Sequence, residues 1–155
     1  MDQLEGNRYA KYFVDIYSPN PADSQGGSQM KYEMIHTCIR VMDLKKSEHF
    51  YGQAFGFEVV RRMEFPEHKC TLSYLRSPCS TFELELTYNH DRKEPYTHGD
   101  GYSHLALAVK DIAAAHKQHE AMGFHPKPLK SLTESGPHFY FLADPDGYLI
   151  EVIKS

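Results

Sequence analysis

The strongest constraint on how this chain folds is that its sequence repeats itself. When the segment Ile35 to Leu44 is set above Ser103 to Ile112, His36, Val41 and Asp43 fall on His104, Val109 and Asp111, 68 positions further on. After one gap Gly56-Phe57 falls on Gly123-Phe124, 67 positions on, and the run Phe82 to Leu86 falls on Tyr148 to Val152, 66 positions on, so that Glu85 matches Glu151. Two related units of about sixty residues emerge, and any fold must be built twice from one plan.

Within each unit the pattern predicts a strand, a helix and then a run of strands. Asp43 and Asp111 each follow a strand and precede helical patterns over Leu44 to Ala54 and Ile112 to Met122, where a carboxylate can accept from free N–H groups of the first turn. Gly56 and Gly123 suit the helix ends. Strand-like runs follow at Phe57 to Phe65, Cys70 to Leu75 and Phe82 to Tyr88 in the first unit, and at Phe139 to Ala143 and Tyr148 to Ile153 in the second. Between the last two, Asp144-Pro145-Asp146-Gly147 is a turn in which Pro presets φ and Gly tolerates a positive one. The expected fold class is α+β, with paired βαβββ modules at about 31–90 and 101–155 forming a curved mixed sheet around a cleft.

Residues 1–30 have a different character. An aromatic stretch, Tyr9 to Tyr17, runs into Ser18 to Gln29, which has linker composition, and Met30 opens the patterned part. This segment is expected to be an extension, natural or fused, that either docks on an exposed edge or binds a partner. The 155 residues are 41% hydrophobic and 25% charged, enough for a core without covalent staples. Cys38, Cys70 and Cys79 are odd in number and lack CxxC spacing, which predicts reduced thiols in a cytoplasmic protein rather than a disulfide framework or zinc finger. No apolar run reaches the length of a membrane helix, and no basic segment followed by an apolar one opens the chain. With 17 Lys and Arg against 21 Asp and Glu, a formal net charge of −4, nucleic acid is not an expected partner.

Strand alternation decides which side chains share a face. His36, Cys38 and Arg40 point one way in the first strand, while Ile35, Thr37, Ile39 and Val41 point toward the helix. In the matching strand His104, Ala106 and Ala108 oppose Leu105, Leu107 and Val109; Glu83, Glu85, Thr87 and Asn89 oppose Phe82, Leu84 and Leu86. If the repeats pair about a pseudo-two-fold axis, His36 and Glu85 meet His104 and Glu151. Two imidazoles and two carboxylates suit zinc, nickel, cobalt or iron, with two further positions open to water or substrate. Each residue alone reads as readily as a hydrogen-bonded strand histidine or a solvated glutamate, but matched occurrence in both halves favours a shared role. The other histidines, including His116 and His119, are read as surface residues.

The segments Ile35 to Val41, Glu83-Leu84-Glu85-Leu86-Thr87-Tyr88-Asn89, Gly101-Tyr102-Ser103-His104-Leu105-Ala106 and Asp144 to Glu151 together resemble the vicinal oxygen chelate superfamily, and within it glyoxalase I, the lactoylglutathione lyases. The resemblance runs from about Lys31 to the C-terminus. It implies that His36, Glu85, His104 and Glu151 hold a divalent metal, that Arg40 and Asn89 bind the γ-glutamyl end of a glutathione-like thiol, and that Glu151 is the general base with Glu85 the second metal-bound carboxylate. The implied reaction isomerises the hemithioacetal of methylglyoxal and a thiol to an S-lactoyl thioester, with no organic cofactor. The compact matched region resembles the bacterial class that prefers nickel or cobalt over zinc, and the resemblance implies a homodimer. Asp100 stands where eukaryotic relatives carry an arginine for the thiol's glycine carboxylate; Lys127 or Lys130 are candidate substitutes. Alternatives on the same scaffold are a methylmalonyl-CoA epimerase, an extradiol dioxygenase, against which the extra carboxylate Glu85 argues, and a non-catalytic binding protein.

Overall fold

A computed structural model of the chain describes residues 30–131 and 138–155, so the aromatic stretch Tyr9 to Tyr17 and the linker after it lie outside the described residues. Met34–Ser155 forms one compact unit. Its elements run β1 (His36–Val41), α1 (Leu44–Phe55), β2 (Glu58–Phe65), a 3-10 turn (Pro66–His68), β3 (Cys70–Arg76), β4 (Glu83–Asn89), β5 (His104–Val109), α2 (Ile112–Ala121), β6 (Lys130–Ser131), β7 (His138–Ala143) and β8 (Leu149–Lys154). They build two four-stranded mixed sheets, ordered β1-β4-β3-β2 and β5-β8-β7-β6. Each module thus has its own sheet, with the first strand parallel to the last and at the sheet's edge.

Local chemistry follows the repeat. Asp43 Oδ1 accepts from the Lys46 N–H at 3.0 Å and Asp111 Oδ1 from the Ala114 N–H at 2.9 Å, so both helices open on the same cap. Gly56 ends α1 in the left-handed region at φ 67°, a conformation that a side chain would strain. The strand Lys130–Ser131, only two residues long, completes the second module and carries no readable alternation.

The core forms on one side of both sheets. Ile39 and Val41 of β1, Leu75 of β3, Leu84 and Leu86 of β4, Phe50, Tyr51 and Ala54 of α1, and Leu142 and Ile150 of the second module share one buried cluster. The turn Asp144 to Gly147 ties the modules together. Asp146 Oδ1 accepts from the Met42 N–H at 3.0 Å, and Asp144 Oδ2 from the Tyr51 hydroxyl at 3.0 Å. Burial of Asp144 raises its pKa, a shift opposed by the Tyr148 and Asp146 N–H groups and the Tyr51 hydroxyl.

One histidine departs from the expectation of a surface position. His119 is 4% exposed, with Nε2 at 2.8 Å from the Ala54 carbonyl and Nδ1 at 2.9 Å from the Tyr140 hydroxyl. Ile112, His116 and His119 stand at i, i+4 and i+7, which puts His119 on the inward stripe of α2, where two partners satisfy it. Among the described residues no helix is long and apolar enough to cross a membrane.

Candidate metal and substrate site

The polar face of each sheet carries one His–Glu pair. His36 leads β1, and Glu85 lies on the adjacent β4, opposite Cys38 in the register. His36 Nε2 stands 3.3 Å from Glu85 Oε2. His104 leads β5, Glu151 lies on β8 opposite Ala106, and His104 Nε2 stands 3.0 Å from Glu151 Oε2. Donors that share one ion, each about 2.1 Å from it and at right angles, stand about 3.0 Å apart, so the spacing within each pair fits two neighbouring positions of one coordination sphere. Ring orientation supports the same use. Ser103 Oγ lies 2.7 Å from His104 Nδ1, on the side of the ring away from Glu151. His36 packs its ring edgewise on Tyr74, centroids 5.8 Å apart, and its buried Nδ1 has no hydrogen-bond partner among the described residues.

The four residues come together as two pairs, not as one cluster: among the described residues no group of three or more His, Cys, Asp or Glu could hold a metal within the chain. The reason lies in the core. Both modules turn their apolar faces toward the shared cluster, so each His–Glu pair sits on the face of its sheet opposite the packing that joins the modules. One chain therefore presents two separate His–Glu pairs.

The surroundings of the first pair are polar. The Thr87 hydroxyl donates to Glu85 Oε1 at 2.9 Å, leaving Oε2 toward His36. Cys38 Sγ lies 3.2 Å from Thr87 Oγ1, and burial, with the nearby Glu85 carboxylate adding to it and the Thr87 hydroxyl opposing it, pushes its thiol up to about 11. Tyr74 lies directly across from Glu85 in the β3–β4 register; burial and the neighbouring Glu85 carboxylate raise its pKa, opposed by Arg61. Arg61 lies over the Tyr74 ring, 3.6 Å from centroid, and its Nη1 donates to Glu83 Oε1 at 2.8 Å. Sequence reading missed Tyr74 and Arg61, although alternation along β3 and β2 puts them on the polar face.

The residues expected to bind the thiol lie on the same face as Glu85. Arg40 is exposed and pairs with Thr87 in the β1–β4 register, and Asn89 ends β4 with Nδ2 donating to the Tyr96 hydroxyl at 2.8 Å. Asp100, Lys127 and Lys130 are exposed. Cys38, Cys70 and Cys79 are all free thiols.

A family model described as the Glyoxalase/Bleomycin resistance protein/Dioxygenase superfamily matches residues 33–152. The chain is 38% identical over 130 residues to a probable lactoylglutathione lyase of Vibrio cholerae, covering 80% of this chain and 91% of the relative. It is 37% identical over 126 residues to the lactoylglutathione lyase of Haemophilus influenzae, covering 79% and 93%. Among solved structures, the trypanothione-dependent glyoxalase I of Leishmania major aligns with a TM-score of 0.68 at 37% identity, over 80% of this chain and 87% of that one.

Proposed function

Because the chain belongs to the glyoxalase, bleomycin resistance protein and dioxygenase superfamily, and resembles its lactoylglutathione lyases across most of their length, we propose that it isomerises the hemithioacetal of methylglyoxal and glutathione, or a related thiol, to the S-lactoyl thioester. It is an enzyme of the lyase class, and its role is methylglyoxal detoxification. The thiol adds to the aldehyde without catalysis; the enzyme's task is to move the C1 proton to C2.

The observation that carries this reading is the pair of half-sites, each a histidine and a glutamate at matched places on the open face of its own sheet. A homodimer completes them: His36 and Glu85 of one protomer with His104 and Glu151 of its partner would together supply four donors to a divalent metal. β1 and β5, which lead with the histidines, are edge strands and can approach a second copy. A divalent ion held there, nickel or cobalt in preference to zinc, supplies Lewis-acid stabilisation of negative charge on the substrate's adjacent oxygens. Glu151 accepts the proton from C1 and returns it to C2 while the hydroxyl proton passes from the C1 oxygen to the C2 oxygen, so no net proton is exchanged. Arg40 and Asn89 fix the thiol's γ-glutamyl end through its carboxylate and amine. Three free thiols support a reducing, cytoplasmic setting.

Mixed dimers test the reading. A double variant His36→Ala/Glu85→Gln and a second, His104→Ala/Glu151→Gln, are each expected to be inactive in an ultraviolet assay of thioester formation. When they are dissociated and reassociated, half of the dimers are heterodimers with one intact site, so activity returns to about a quarter of the unmodified level. No recovery in demonstrated heterodimers refutes the shared site. Metal content that survives dialysis in Glu85→Gln counts against its ligation, and a near-normal rate in Glu151→Gln removes it as base.

A further inference from the structure

The connection between the two modules, residues 90–103, contains neither helix nor strand, yet its side chains hold both residues assigned above to the thiol's γ-glutamyl end. Asn89 stands two residues beyond Thr87, the register partner of Arg40, so Arg40 and Asn89 share the end of one sheet face. Asn89 Nδ2 donates to the Tyr96 hydroxyl at 2.8 Å. The Tyr96 ring is held in turn by Arg92, whose guanidinium lies over it, 4.7 Å from the centroid, and donates to the carbonyls of Glu94 and, at 2.9 Å, Pro95. The Arg40 backbone is held from the same connection. Its carbonyl accepts from the Tyr148 hydroxyl at 3.1 Å, and the Tyr148 ring stacks on His98, centroids 4.0 Å apart, with Tyr102 edge-on at 5.9 Å.

An asparagine amide has two chemically different ends, and what it recognises depends on which end is turned outward. With Nδ2 engaged by Tyr96, Oδ1 lies on the other branch of the amide, and among the described residues no donor reaches it. A γ-glutamyl end carries a carboxylate and an ammonium on one carbon. Arg40 offers only donors and suits the carboxylate; the ammonium needs an acceptor, which Asn89 Oδ1 supplies. An amide turned the other way would meet the ammonium with its own N–H groups, donor against donor.

We propose that Tyr96 is a positioning residue that sets specificity: by accepting from Nδ2 it fixes the Asn89 amide with its oxygen outward, and so makes the site select thiols that carry a free α-amino group beside a carboxylate. Arg92 keeps the ring in place for this. The proposal rests on the assignment of Arg40 and Asn89 to thiol binding. It puts selection in the connection between modules rather than in the His–Glu pairs, so it acts on substrate capture and leaves the proton-transfer step alone.

The test compares the hemithioacetals that methylglyoxal forms with glutathione and with N-acetylglutathione, whose amine is capped and uncharged, in the metal-loaded full-length protein. The parent is expected to prefer glutathione by about tenfold or more in kcat/KM. Tyr96→Phe is expected to raise KM for glutathione by about tenfold, to keep kcat within about twofold, and to cut the preference by about threefold or more, because the released amide can turn its N–H toward the acetyl carbonyl. A general loosening of the site raises KM for both thiols alike, so the preference is a readout that a merely structural role does not move. Arg92→Ala, which frees the ring and keeps the hydroxyl, is expected to shift KM and preference in the same direction by a smaller factor. Circular dichroism confirms that each variant is folded. No preference in the parent, or an unchanged KM or preference in Tyr96→Phe, overturns the proposal, and an unchanged KM in Arg92→Ala removes the clamp. Asn89→Ala separates the two levels: an unchanged KM there removes Asn89 from thiol binding, whereas a raised KM there with a normal one in Tyr96→Phe sinks this inference alone.

Discussion

Replacing His119 by Leu tests the buried network that joins the two modules, and its outcome can be worked from the donors. The Ala54 carbonyl can only accept, so His119 Nε2 carries the ring proton and donates across 2.8 Å; Nδ1 then has a lone pair, and the Tyr140 hydroxyl donates to it across 2.9 Å. His119 is 4% and Tyr140 0% exposed, so no bulk water replaces a lost partner. Tyr140→Phe leaves Nδ1 unpaired, at about 1–2 kcal/mol; His119→Leu strands both the Tyr140 hydroxyl and the Ala54 carbonyl, at about 2–4 kcal/mol. In the double variant the orphaned hydroxyl is gone, so its cost falls short of the sum by about 1 kcal/mol or more. Urea unfolding followed by circular dichroism, at one fixed protein concentration, measures all three. Thioester formation at saturating substrate should be unchanged, since His119 lies on the helix side of the sheets. Additivity of the two single changes within about 0.5 kcal/mol refutes the assigned network.

Asp146→Ala removes the acceptor for the Met42 N–H and for the Ser47 hydroxyl, and is expected to cost about 1–2 kcal/mol in urea unfolding; an unchanged midpoint shows that the turn does not clamp the modules. Glu48 supplies a pH test. Burial alone raises its pKa, but hydrogen bonds from Arg62 and Ser73 outweigh it and hold the folded value below the ordinary 4.5. Its contribution is therefore complete above that value and lost as pH falls through the folded one. Glu48→Gln is expected to flatten the decline of Tm with acid below about pH 4.5, and an acid limb identical to the parent's removes this role.

Much of the fold was legible because it rests on signals that repeat. Strand alternation placed Ile39, Val41, Leu84 and Leu86 in the core and His36, Glu85, His104 and Glu151 on the opposite faces, where they lie. Asp43 and Asp111 read as helix caps, and both accept from the N–H three residues on. The two-residue strand β6 is too short for any period to register. His119 was misplaced because its residue type suggested solvent, while its i+7 spacing from Ile112 pointed inward. Tyr74 and Arg61 share a face with Glu85, but only the cross-strand register, which depends on pairing remote segments, reveals what they touch. The same limit applies to the separation of the two His–Glu pairs, since a pattern within one chain does not say which face joins the modules.

That joining face decides what the duplication can do. If the repeats had packed with their polar faces together, one chain would close a small site between two immovable walls. Here the apolar faces meet in a shared core, so the polar face of each sheet, with its His–Glu pair, points away from the packing that joins the modules. A site made from two copies of one module in the same arrangement would give both carboxylates the same neighbours and hence the same freedom. Joining unlike modules lets Cys38, Thr87 and Tyr74 stand around Glu85 while Ala106, Ile153 and Phe141 stand around Glu151, so that two carboxylates at equivalent positions meet different chemistry.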